Sequence, residues 1–164
     1  MLATALHYSG DPDRGRALAL EAAVAARQAR SAALLARAGI AYQGLITQFA
    51  RPSDPVAVDL MREGLVGLTG EDEVLRAKAT AMLAVALVFA PGDEAWRTAT
   101  EAVSLARAAG DDTSLHAALN ALAWTERGSV PVGTRAATVE ELVAVAERTG
   151  DRSLHMISQI HLGR

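Results

Sequence analysis

The residues able to do chemistry in this chain are few. It has four histidines (His7, His116, His155 and His161), no cysteine, and serines and threonines scattered through alanine-rich stretches. A zinc site needs three or four ligands converging on one point. His116 and His155 each follow a leucine (Leu115, Leu154) in two similar stretches, which sets them at equivalent positions of two units rather than in one site. His155 and His161 are six residues apart, on different faces of a helix, and neither HExxH nor His-x3-His occurs. These spacings predict surface or half-buried histidines and no metal centre.

The acid pairs Asp93-Glu94, Asp111-Asp112 and Glu140-Glu141 could serve general acid–base work. Neighbouring helical residues diverge, however, and placing each pair at a helix start assigns it to capping and dipole compensation. Ser104, Ser114, Ser153 and Thr149 have no histidine and acid at triad spacing, and neither GxSxG nor GxxxxGK[ST] is present. The absence of cysteine excludes disulfides and thiolate nucleophiles. The expectation is a protein that is not an enzyme and carries no cofactor.

One polar set points to binding. If helices at 91–109 and 134–149 pack through Ala99, Ala102, Val103, Ala106 and Val139, Leu142, Val143, Ala146, their opposite faces carry Arg97, Glu101, Ser104, Arg107, Glu141 and Arg148. In helical arrays one row of helices lines a concave binding surface. These six residues are the candidate binding set.

The elements that must hold them follow from a phased signal. Gly70, Gly110 and Gly150 lie forty residues apart, within MREGLVGLTGEDEVLRAK (61–78), EAVSLARAAGDDTSLHAA (101–118) and ELVAVAERTGDRSLHM (141–156). Each glycine closes one apolar helical pattern and is followed at once by an acid. Glycine accepts the left-handed conformation that ends a helix, and the acid caps the next. Arg30 sits where the pattern calls for glycine. A fixed period of this kind marks a helical repeat array. The prediction is an all-α chain, an α-α superhelix (a TPR-like solenoid) of about four helix pairs at 10–50, 51–90, 91–130 and 131–164, with junctions near 30, 70, 110 and 150.

Local signals fill in the helices. Asp11-Pro12 and Asp54-Pro55 read as a cap followed by a first-turn proline, and Asp93 after Pro91-Gly92 reads as another cap. From Pro12 a helix runs to about Arg30 through Ala17, Leu18, Glu21, Ala22 and Ala25. Ser31 opens a second with a stripe at Leu35, Ala38, Tyr42, Leu45 and Phe49. Gly64 and Gly67 inside the third helix imply close backbone approach. Residues 79–90 are apolar on every face and are expected to be the most buried helix, and 128–134 reads as the last break. Trp96, Trp124 and Tyr42 are assigned to core packing. Residues 1–9 read as a partial helix. Leu2, Ala5 and Leu6 at one end, and Met156, Ile157 and Ile160 at the other, are expected to form apolar surfaces. That pattern suggests a fragment of a longer chain, or ends covered by self-association through terminal helices.

Composition agrees. Of 164 residues, 51% are hydrophobic but only 4% aromatic, and 36 are alanine, which favours closely stacked helices over a sheet. Net charge is −3 with no block of one sign, so a nucleic-acid surface is not expected. The chain opens without a basic n-region, and the longest apolar run, 81–90, is too short to span a bilayer. The expected location is the cytoplasm.

The stretches 8–27 (YSGDPDRGRALALEAAVAAR), 100–122 (TEAVSLARAAGDDTSLHAALNAL) and 139–155 (VEELVAVAERTGDRSLH) resemble the tetratricopeptide-like helical region of large ATP-binding LuxR-type and related bacterial transcriptional regulators. The period of 40 exceeds the about 34 of standard units, and neither a Walker A loop nor a helix-turn-helix is identifiable. The resemblance therefore implies neither ATP hydrolysis nor DNA binding by this stretch. It implies a regulatory module that engages a protein partner or attached domains. The alternative is a small-molecule effector domain with a pocket between repeats.

Overall fold

The computed structural model describes residues 3, 4, 6, 10–44, 54–68, 70, 72–126 and 132–163, and all regular structure among them is helical. Eight helices follow in order: α1 (Pro12–Gln28), α2 (Ala32–Gln43), α3 (Pro55–Gly67), α4 (Glu73–Ala86), α5 (Glu94–Ala109), α6 (Asp112–Thr125), α7 (Val132–Thr149) and α8 (Arg152–Leu162). None of them is long and apolar enough to cross a membrane.

The helix starts are set by short polar side chains. Oδ1 of Asp72 accepts from the Leu75 N–H at 3.0 Å, Oδ2 of Asp111 from Ser114 at 2.7 Å, and Oδ1 of Asp151 from Ser153 at 2.7 Å. Asp54 accepts from Val56 at 3.0 Å with Pro55 in the first turn, and Ser31 accepts from Leu34 at 3.3 Å. Each satisfies a backbone donor that the helix leaves open. Asp93 departs from the expectation. It occupies the cap position of α5 but makes no capping bond, because its carboxylate turns to Arg97 at 2.7 Å.

The forty-residue phase recurs in the backbone angles, although Gly70 does not itself close a helix: α3 ends at Gly67 with Leu68 extended, and the cap of α4 is Asp72, Glu71 lying outside the described residues. Arg30, Gly70, Gly110 and Gly150 have φ of 50°, 51°, 64° and 65°. Arg30 thus adopts the glycine conformation despite its side chain. The turn around it holds it there: the Ser31 N–H reaches the Ala26 carbonyl at 3.0 Å and the Arg30 N–H reaches Arg27 at 3.0 Å, the paired bonds of a Schellman ending.

Sequence neighbours pack as hairpins, and the even helices also touch in succession, α2 to α4, α4 to α6 and α6 to α8. The odd helices flank this row: α3 sits against α2 and α4, α5 against α4 and α6, α7 against α6 and α8. Helix α4 serves both halves of the core. Its Met82, Leu83 and Ala86 belong to a cluster with α1–α3, and its Ala77, Ala81 and Ala84 to one with α5–α7. Most of the buried apolar residues are alanines, so backbones come close. The clearest case is α2 on α3, where a Cβ added at Gly64 would lie 2.8 Å from Ala36 Cα and one at Gly67 2.6 Å from Ala32 Cβ. These two glycines are used for packing. Among the described residues six ion pairs, two at each junction, join successive hairpins (Arg27–Glu63, Arg37–Asp72, Arg62–Glu94, Lys78–Asp111, Arg107–Glu141, Arg148–Asp112). All but Lys78–Asp111, which is about two-thirds covered, are well exposed, so they orient the stack more than they stabilise it.

Several expectations are corrected. Helix α2 stops at Gly44 (φ 65°), and Leu45 and Phe49 fall outside the described residues, as do Leu2 and Ala5. In α1 the buried row is Ala19, Ala23 and Ala26, while Ala17, Glu21, Ala22 and Ala25 face outward. Helix α4 ends at Ala86, short of residue 90. Helix α7 begins at Val132, so Thr134 is helical and Glu140-Glu141 lies mid-helix rather than at a start. Trp96 is 40% exposed rather than core. At the last helix Met156 is exposed, but Ile157 is buried against its neighbours and Ile160 half-buried, which removes most of the expected apolar surface.

Two stability measurements follow from these geometries. Gly110→Val should destabilise by roughly 1–2 kcal/mol, because a β-branched residue resists positive φ. Arg30→Gly, by relieving the same strain against a more flexible unfolded chain, should be neutral or stabilising by up to about 1 kcal/mol. A denaturant midpoint unmoved by the first, or a clear loss from the second, contradicts this reading of the turns. Gly64→Ala ordinarily gains about 1 kcal/mol of helix propensity. Here the added methyl collides with the Ala36 backbone, so overpacking of roughly 1–3 kcal/mol should reverse the sign. A stabilised Gly64→Ala protein would show that α2 and α3 are not in such contact.

Candidate binding cleft

Three helices enclose the cleft that gathers most of the candidate residues. Helices α5, α6 and α7 border a cleft of about 490 Å³. Its floor is apolar: Val103 from α5, and Leu119 and Leu122 from α6. Periodicity explains this, since Val103 follows Ala99 and precedes Ala106 on the buried face of α5. Hydroxyls rim it. Thr100 and Ser104 stand on α5, and Thr134 and Thr138 on α7, one helical turn apart on each side. Thr100 and Thr138 donate to carbonyls four residues back, Trp96 at 2.9 Å and Thr134 at 3.3 Å, leaving their oxygens as acceptors. Arg135 ties α7 to the end of α6 by donating to the Ala123 carbonyl at 3.3 Å.

Arg107 and Glu141 also line this cleft. The guanidinium Nη2 donates to both carboxylate oxygens, at 3.0 and 2.8 Å. Both side chains are more than a third exposed, so the pair is worth at most about 1 kcal/mol and can exchange partners at little cost. An incoming carboxylate can take the guanidinium over.

Of the six candidate residues, Ser104, Arg107 and Glu141 line this cleft. Arg97 is exposed and held by Asp93; Arg148 is exposed and held by Asp112 at 2.8 Å; Glu101 is exposed outside the cleft lining. The close backbone contacts of α5 and α7 both run to α6. Their buried residues include Ala99, Ala102, Val103, Ala106, Val139, Leu142 and Ala146, with Val145 buried where Val143 is half-buried.

The sequence reading missed one constellation. His116 is only 1% exposed, deeper than the surface or half-buried position expected, and its Nε2 lies 3.0 Å from Ser158 Oγ on α8. The spacing is that of a base and a nucleophile. The hydrogen-bond order says otherwise. Ser158 Oγ donates to the Leu154 carbonyl at 3.0 Å, so it accepts from His116 Nε2–H, and the histidine cannot act as its base in this arrangement. Both side chains are buried, so no substrate reaches them. Burial holds His116 down to about 4, against the opposing pull of the Leu154 carbonyl and the Asp151 charge, and it is neutral at ordinary pH. One turn further, His161 Nε2 lies 2.8 Å from Asn120 Oδ1 and its ring tilts at 59° against Trp124, centroids 5.0 Å apart. A sequence signal existed: His116 and Asn120, like Leu154, Ser158 and His161, are spaced to share a helix face. Among the described residues no group of three His, Asp or Glu side chains could hold a metal ion.

Comparison with protein-family models, with curated proteins and with solved structures finds no match to this chain.

Proposed function

We propose that this chain is a non-catalytic binding module of the cytoplasm, a TPR-like superhelix of four stacked helix pairs that engages a protein partner or the attached domains of a larger transcriptional regulator. The observation that carries the reading is the α5–α6–α7 cleft: an apolar floor, hydroxyl rims and an exchangeable guanidinium at Arg107. Such a lining suits a peptide segment that buries one or two apolar side chains and offers a carboxylate beside them. The small-molecule alternative draws less support, because neither Trp96 nor Trp124 lines the cleft. Self-association through the terminal helices is weakened as a reading by the burial of Ile157.

The test is selection of peptides from a random library on the purified chain, followed by affinity measurement. Binders should share an apolar residue next to an acid. Ala137→Arg, at an exposed position in the cleft, should fill the site without unfolding α7, and Arg107→Ala should remove the carboxylate partner. Each should weaken binding about tenfold or more, which is ~1.4 kcal/mol. Binders indifferent to both substitutions, with helicity unchanged, would place the binding surface elsewhere.

A further inference from the structure

We propose that α8 is an acid-released latch, in which protonation of His116 at the α6–α8 seam detaches α8 while the other helices stay folded. This seam is separate from the cleft. Helix α8 fully buries three side chains, Ile157, Ser158 and His161, two of them polar, with Leu154 and Ile160 half-buried beside them. Among the described residues its main backbone contacts run to α6 and α7. Two directional contacts among the described residues join it to α6, His116 to Ser158 and His161 to Asn120, one turn apart. A short helix with one fully buried apolar side chain leans on its hydrogen bonds, and its docking weakens when one of them must carry a buried charge.

The surroundings offer an imidazolium little compensation. From the α7–α8 turn, Asp151, which caps α8, favours protonated His116 by its charge, but burial opposes the charged ring more strongly. On α6 itself Asp112 is held by Arg148 of α7, and Asp111 by Lys78 of α4 at 3.5 Å. Beyond Lys78, α4 carries Glu73 and Arg76, one of each sign. Helix α5 turns the row Ala95, Ala99, Ala102, Val103 and Ala106 inward. From α8 come His161, already bonded to Asn120, and His155, exposed and 3.2 Å from Gln159.

The direction follows from linkage. The docked histidine, held down at about 4 by burial, takes up a proton less readily than the ordinary 6.5 of a solvated one. Docking is therefore full above the ordinary value, weakens by up to about tenfold per pH unit as pH falls below it, and levels off below the docked value. Release would bare the α6 face that carries His116, and would remove one of the two supports of α7.

The experiment is native-state hydrogen exchange of the whole chain between about pH 7 and about pH 4.5, corrected for intrinsic exchange, with Trp124 fluorescence in a Trp96→Phe background as a second report. The expected result is that protection of α8 falls with pH while that of α4 does not, and that the Trp124 signal follows α8. His116→Gln keeps a donor for Ser158 Oγ but cannot be charged, and should flatten both profiles. Loss of α8 and α4 protection together, or an unchanged acid profile in His116→Gln, overturns the proposal. Should the variant fail to fold, NMR titration of the His116 ring in the unaltered chain decides: a midpoint well below the ordinary histidine value supports the latch, and an ordinary one overturns it.

Discussion

The close approach of helix backbones at small residues is the constraint on which this structure depends. Gly64 against Ala36 and Gly67 against Ala32 leave no room for larger side chains, and α4, α5 and α6 meet largely through alanines. Short side chains lose little conformational entropy on burial, so many small contacts can replace a few large aromatic ones. The cost is sensitivity to shape. Packing at this spacing fixes which face of each helix turns inward, and thereby which residues remain outside to line a cleft.

Much of the architecture was legible because it rests on local rules. The acid after Gly110 and after Gly150 is a helix start whatever packs against it, and Gly110 needs positive φ for a reason internal to the chain; after Gly70 the cap falls one residue later, on Asp72. What escaped was decided by tertiary context. Arg30 takes up the glycine conformation because the Schellman bonds around it outweigh its own preference. Asp93 leaves its cap for Arg97, a choice between two nearby donors that sequence does not rank. The buried row of α1 passes through Ala19, Ala23 and Ala26 and not through their alanine neighbours. In a helix this rich in alanine, hydrophobicity barely distinguishes the faces.

The candidate site was legible to the same extent. Ser104, Arg107 and Glu141 could be placed on outer faces of two helices from periodicity. That α5 and α7 flank α6, bringing Arg107 to Glu141, depends on how the hairpins stack. The His116–Ser158 contact joins residues forty-two apart across the same kind of seam, and it was invisible to any test for local triad spacing. Polar contacts buried at such a seam contribute little net free energy when made and cost much when broken, which concentrates sensitivity there.

The account stands or falls on backbone contact between α2 and α3, and one NMR measurement addresses it directly. A strong nuclear Overhauser effect between the α-protons of Gly64 and the backbone or methyl protons of Ala36 is the predicted result, since no side chain separates the two residues. Its absence, with Ala36 instead reporting contact to larger side chains, would contradict small-residue close packing as the basis of the fold.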